Sequence, residues 1–228
     1  NLNIWLKKQI EELKKLPNLT IKKRTSVAAF HGYNYLLARE NLTDHLGAHE
    51  RKGKIRQRLL KIRAKKVVIA TGAIERPLIF SNNDRPGIIL SSSIKKYIDY
   101  YGVKTGENIS LFTNNDSAYE TAISLNKSGV KVKVIIDIRE NPSSILSEKI
   151  EKAGIKILRG HTITNTDGYK RIKSIDVMKL SKDGENVVGN KTTYKCDCLG
   201  ISGGWTPMVH LFTQSGGKLK FRNNDNVF

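Results

Sequence analysis

The chain has 228 residues, 39% of them hydrophobic, enough to bury a real core as one large domain or two small ones. Its formal charge of +19 comes mostly from lysines spread through every segment beside abundant Asn and Ile, with no one face of charge interleaved with aromatics, so polynucleotide binding is not expected. No apolar run is long enough for a bilayer and no charged leader precedes an apolar core, so a cytoplasmic protein without a membrane partner is expected.

Leu2, Leu6, Ile10, Leu13 and Leu16 recur at intervals of three and four, with Lys and Glu on the other side, which predicts an amphipathic helix over 3–16 stopped by Pro17 and Asn18. Strands are expected at Leu19–Arg24, Ser26–Gly32, Tyr35–Glu40 and Ile55–Arg63, joined as an antiparallel meander through Gly32-Tyr33-Asn34 and the turn-rich stretch 47–53. The basic residues from Arg51 to Arg63 read as a solvated face of it. The meander leads into Val67-Val68-Ile69-Ala70, a β-branched apolar run followed by the small residues Thr71-Gly72-Ala73. That pattern predicts a buried parallel strand whose exit lets the backbone approach a flat cofactor, since open α/β sheets bind ligands beyond the carboxyl ends of their strands. A plain core strand with a tight turn fits the same residues.

Leu78 to Gly87 is polar and turn-rich and reads as a domain boundary. One of Ser91, Ser92 or Ser93 is expected to cap a helix running to Tyr101 and ended by Gly102. A strand at Ile109–Phe112, a helix at Ser117–Lys127 closed by Gly129, and a strand at Val130–Asp137 have the spacing of a βαβ unit. Pro142-Ser143-Ser144 opens a further helix closing at Gly154, and Ile155–Leu158 follows as strand. Thr162–Thr166, Ile172–Leu180 and Thr192–Lys195 suggest a second meander, around Asp167-Gly168 and Asp183-Gly184. Cys198 to Pro207 then repeats the theme of a buried strand leaving through small residues. The two exits bracket an inserted domain at 88–196, with 1–80 and 197–228 forming an incomplete outer domain.

Asp137 falls about 20 residues past the turn of the βαβ unit, where a ribose-binding acid belongs. A carboxylate bonded to nearby backbone and paired with Arg139 fits it as well. The turn itself, Thr113-Asn114-Asn115-Asp116-Ser117, lacks the glycine fingerprint. Asp116 is expected to cap the helix with its carboxylate, competing with a pyrophosphate for the same N–H groups. Cys196 and Cys198 are expected on one face of a strand, buried and reduced, without the C-x-x-C spacing of a redox pair. His45 and His49 lie four apart around Gly47 with no third ligand evident, and Asp44-His45 reads as solvated, so no metal site is expected. No serine or cysteine lies in a nucleophile elbow, and no catalytic residue is assigned. Trp205 fits a place against a cofactor or in the core.

Four ordered segments carry a more specific signal: Ala70-Thr71-Gly72-Ala73-Ile74-Glu75-Arg76-Pro77-Leu78-Ile79-Phe80; Asn83-Asp84-Arg85-Pro86-Gly87; Phe112-Thr113-Asn114-Asn115-Asp116-Ser117-Ala118-Tyr119; and Ser202-Gly203-Gly204-Trp205-Thr206-Pro207 with His210-Leu211-Phe212. Together they resemble the α subunits of heterotetrameric sarcosine oxidases, from Trp5 to Phe228. The resemblance implies an α/β fold of the flavoprotein type with two dinucleotide-binding domains, Rossmann-like and three-layered, one nested in the other. It implies NAD held non-covalently by the α subunit and amine oxidation at FAD in the β subunit. Electrons would pass to a further flavin, FMN, at the α/β boundary and then to oxygen, and the one-carbon unit to tetrahydrofolate on a separate domain. Further partners would be the γ and δ subunits. Ser26 and Val27 match the segment touching the adenine through backbone groups, and Thr71 and Gly72 the strand exit beside it. The start at Asn1 and the stop at Phe228 read as a portion of a longer protein, inactive alone and without the main pyrophosphate site.

Two rivals remain. A pyridine nucleotide-disulfide oxidoreductase using FAD and NAD is disfavoured by the missing C-x-x-C pair and the aspartate in the second turn. A basic nucleic-acid-binding module rests on charge alone.

Overall fold

The computed structural model describes residues 2–142, 144–224 and 226–228. Ser143, expected at the opening of a helix, lies outside them. The chain divides into two compact units, Asn1–Thr71 with Met208–Phe228, and Gly72–Pro207.

In the first unit, helix α1 (Leu2–Lys14) forms where the apolar spacing requires it, yet Ile4 and Trp5 on it are 67% and 58% exposed. Strands β1 (Thr25–His31), β2 (Tyr35–Asn41) and β3 (Gln57–Arg63) make the expected antiparallel meander in the order β1-β2-β3. Tyr33 and Asn34, both at positive φ, turn the first hairpin. Glu40 is buried on β2 and held by Lys22 at 3.1 Å and Arg58 at 3.5 Å. Two expected strands are not formed. Leu19–Arg24 ends in a left-handed Arg24 (φ 53°), a conformation no strand continues through, and Leu19 and Ile21 are exposed. Val67–Ala70 forms no strand, and Val68 is 91% exposed. Among the described residues no strand pairs with it, and extended backbone becomes sheet only through its neighbours' hydrogen bonds.

The second unit is built on a five-stranded parallel sheet in the order β5-β12-β6-β7-β8, comprising β5 (Ile88–Leu90), β6 (Asn108–Thr113), β7 (Lys131–Asp137), β8 (Ile157–Arg159) and β12 (Cys198–Ser202). Helices α2 (Ser91–Tyr101), α3 (Ser117–Lys127) and α4 (Ile145–Lys152) contribute Ile94, Tyr119 and Ile150 to one core cluster, with Leu111 and Ile135 from the sheet. The alternate residues Phe112, Ile136 and Ile201 enter a second cluster. It is completed by the antiparallel strands β9 (His161–Asp167), β10 (Ser174–Leu180) and β11 (Val187–Lys195). Strands with apolar side chains on both faces need this double cover, and the result is a three-layer, Rossmann-type α/β unit. Gly200, mid-strand in β12, is required by packing: a Cβ there would lie 2.6 Å from Leu111 and 2.7 Å from Ile94. A short pair, β4 (Ala73–Glu75) with β13 (Trp205–Pro207), completes the unit, and helix α5 (His210–Gln214) belongs to the first.

Several details depart from expectation. β5 forms just past the expected boundary, at Ile88–Leu90, where no strand was expected. None of Ser91, Ser92 or Ser93 caps α2: Leu90 is its N-cap, and the buried Glu75 carboxylate accepts from Ser92 N at 2.8 Å. A negative charge on the first amides of a helix does the work the serines were expected to do. Residues 198–202 were expected in the outer domain, but β12 pairs with both β5 and β6 and is internal to the second unit's sheet. Cys196 and Cys198 do not share a face. Cys198 belongs to the helix-side cluster and Cys196 to the meander-side one, because the chain bends at Asp197, whose carboxylate accepts from the amides of Glu107 and Asn108 at 2.9 Å each. Both thiols are free and buried, and burial pushes the Cys196 thiol up to about 12 and raises that of Cys198.

Candidate functional site

In the parallel sheet the chain leaves β6 toward β7 on one side, while β12 flanks β6 on the other. The carboxyl ends of β6 and β12 therefore form the switch point where such sheets bind ligands. Both exits converge there, but on each other. Asn114 N donates to Ser202 O (3.2 Å) and its side-chain amide to Gly203 O (3.4 Å). Asn115 Nδ2 donates to Ser202 Oγ (3.0 Å) and Ser202 O (3.2 Å). Asn115 Oδ1 accepts from the Ser117 amide (3.1 Å) and the Ser117 hydroxyl, and Trp205 Nε1 donates to Ser117 Oγ (3.1 Å). The first amide of α3, which a pyrophosphate would take in a dinucleotide site, already has an acceptor built into the chain.

Asp116 does not cap α3. Its backbone is helical (φ −79°, ψ −14°), which points the carboxylate away from the helix amides, and Arg139 Nη2 binds it at 2.7 Å. The same guanidinium reaches Asp137 through Nε (3.0 Å) and Nη2 (2.7 Å), and the Arg139 amide donates to Asp137 Oδ1 at 2.9 Å. Tyr119 adds its hydroxyl to Asp137 Oδ2 at 2.6 Å. Burial and the neighbouring carboxylate push the Tyr119 phenol far above its usual range, so it stays protonated and donates. Burial alone would lower the Arg139 pKa, but its bonds to Asp137 and Asp116 outweigh that and hold the cation. Asp137 is wholly buried, with both oxygens engaged, so the backbone-bonded, Arg139-paired alternative describes it and the ribose role does not. The missed element was Asn115: an Asn two residues before a helical Ser is an Asx-turn signal.

Of the expected cofactor contacts, Ser26, Val27 and Thr71 belong to the first unit and Gly72 to the second. Val27 is 40% exposed on β1, an edge strand, and the register slips between Val27 and Ala29 so that Ala28 has no partner on β2. Ser26 is exposed and pairs with Arg39. Thr71 is not in a strand; its hydroxyl donates to Met208 O at 2.7 Å. Gly72 is left-handed (φ +72°) with open space where a Cβ would point. His45 and His49 are exposed, Asp44 accepts from Arg24 at 2.7 Å, and among the described residues no three of His, Cys, Asp or Glu could together hold a metal ion. No helix among the described residues is long and apolar enough to cross a membrane.

A family model described as pyridine nucleotide-disulphide oxidoreductase matches residues 3–227. The chain belongs to this family. The missing C-x-x-C pair had argued against such a reductase, but fold membership is carried by the sheets and their connections, and the dithiol is chemistry added to them. The oxidoreductase chain is 36% identical over 224 residues to the sarcosine oxidase subunit alpha of Corynebacterium sp. (strain U-96), covering 98% of this chain and 23% of that protein. It is 32% identical over 208 residues to the subunit alpha of Rhizobium meliloti (strain 1021), covering 91% and 20%. The chain thus spans about a quarter or less of the length of these relatives. Among solved structures, a thioredoxin reductase of T. acidophilum superposes with TM-score 0.62 at 18% identity, covering 87% of this chain and 58% of that one. An L-proline dehydrogenase of P. horikoshii superposes with TM-score 0.57 at 23% identity, covering 94% and 34%. Fold, family and relatives agree on a flavoprotein-type oxidoreductase region.

Proposed function

We propose that this chain is the dinucleotide-binding region of the α subunit of a heterotetrameric sarcosine oxidase. The first unit contributes to a non-covalent NAD site, and the second is a nested, NAD-binding-like domain that holds no dinucleotide of its own. The observation that carries the second half is the Asn115 side chain on the first amide of α3, with Asp116 and Asp137 both committed to Arg139. A diphosphate would have to displace that acceptor and approach two carboxylates. The first half rests on the likeness to sarcosine oxidase α subunits and on the fit of the residues present. The edge strand and its slip at Val27 leave backbone groups unpaired within the meander.

In that assembly, completed by β, γ and δ subunits, sarcosine is demethylated to glycine at FAD of the β subunit, with FMN relaying electrons to oxygen and tetrahydrofolate accepting the one-carbon unit. The residues here bind and position; none acts as a catalytic base, and the region alone is inactive. Equilibrium dialysis of the intact oxidase with NAD tests the assignment. Val27→Trp is expected to weaken NAD at least tenfold and Asn115→Ala to leave affinity and stoichiometry unchanged. The reverse pattern would overturn it.

A further inference from the structure

The second unit has a pocket of about 300 Å3 lined from β8 and from β9, β10 and β11, away from the switch point. Its polar lining is Lys156, His161, Lys179, Asn190, Thr192 and Tyr194, and no carboxylate lines it. Among the described residues Lys156 and Lys179 form no ion pair, whereas Lys191 binds Asp176 at 3.1 Å and Arg159 binds Glu151 at 2.6 Å. Two unneutralised ammonium groups brought to one concavity repel each other unless an anion joins them.

The donors are also oriented. Lys156 Nζ donates to Tyr194 Oη at 3.2 Å and lies 5.6 Å from the centre of its ring, so the tyrosine's own proton is left to donate elsewhere. His161 Nδ1 lies 2.6 Å from Arg159 O. A carbonyl only accepts, so Nδ1 carries the proton and that donor is already used within the chain. The backbone is irregular at the same place. Val177 pairs with Thr192 and Lys179 with Val188, so Gly189, Asn190 and Lys191 oppose the single Met178, with Gly189 at φ +76°. The pairing of β10 with β9 slips at Val177 as well. Such bulges re-aim side chains and gather beside binding sites.

We propose that this pocket binds the phosphate group of a small organic phosphate. Lys156 and Lys179 supply charge, Tyr194, Thr192 and Asn190 supply neutral hydrogen bonds, and Leu158, Val177 and Val188 take the carbon portion. The volume is at the small end of ligand pockets and suits a phosphate with a few carbons.

The test is isothermal titration of the intact protein with inorganic phosphate, with glycerol phosphate and, separately, with a duplex oligonucleotide. Both small phosphates are expected to bind saturably. Lys156→Ala and Lys179→Ala should each weaken binding by about tenfold, the loss of one charge-assisted hydrogen bond. Lys191→Ala, on a residue outside the lining, should leave it unchanged. Absence of saturable binding at millimolar phosphate, equal loss in Lys191→Ala, or Lys156-dependent binding of the oligonucleotide in preference to the small phosphates would each overturn the proposal.

Discussion

Val67-Val68-Ile69-Ala70-Thr71-Gly72 and Leu199-Gly200-Ile201-Ser202-Gly203 carry one message in sequence: an apolar run that leaves through small residues. The second, up to Ser202, is part of a strand buried along its whole length, paired on both sides and covered on both faces. The first is no strand, and its central valine is open to solvent. A β-branched run biases the backbone toward extension, but the ladder and the burial, about 1.5–3 kcal/mol for a valine side chain, come from partners. The same contrast runs through the two units: Leu6 and Leu13 on α1 are exposed, whereas the second unit closes two core clusters of its own.

The comparison can be broken at matched pairs of positions. The largest effect is expected at the buried ion pair. Asp137→Ala leaves the Tyr119 hydroxyl without its acceptor and Arg139 with Asp116 alone, and should cost the second unit about 4 kcal/mol. Arg24→Ala, which removes a more exposed pair in the first unit, should cost less than about 1 kcal/mol. Hydrogen exchange of β6 and β7 during urea unfolding of the intact protein reads the former, and equal losses would erase the distinction. Next, Leu111→Ala in the core should cost about 3 kcal/mol and Leu6→Ala on exposed α1 less than about 0.5 kcal/mol by the same assay. At the exits, Gly203→Ala meets backbone, with Pro77 O 2.6 Å from the new Cβ, and should cost about 2 kcal/mol. Gly72→Ala, in open space, incurs only left-handed strain of about 1 kcal/mol.

The smallest effect at neutral pH concerns the thiols. Burial raises their pKa values in the fold, so the neutral form is favoured there. That contribution is complete below the unfolded thiol's pKa of about 8.5 and is lost as pH rises, for Cys196 toward about 12. Stability should be flat in this respect at pH 7 and fall above pH ~9, and Cys196→Ser should flatten the alkaline limb. An unchanged limb would show that the thiol ionises as readily folded as unfolded.

Helices α1 to α4, both meanders and the βαβ unit were legible in the sequence because each rests on local period and turn chemistry. What was not legible depends on neighbours distant in the chain. Glu75 caps α2 from 17 residues away, and Asp197 bends the chain so that the cysteines part. At the candidate site the sequence identified the turn that lacks glycine but chose the wrong side chain to close it. Asp116 has the better capping chemistry, and only the fold brings Arg139, 23 residues on, close enough to draw its carboxylate off and leave the amide to Asn115.

The most direct test is a structure of the intact protein with NAD bound, read for where the diphosphate lies. The account predicts Asn115 Oδ1 still on the Ser117 amide and the nucleotide against the backbone at Ser26 and Val27. A diphosphate on the amides after Thr113, with Asn115 displaced and Arg139 turned toward it, would contradict it.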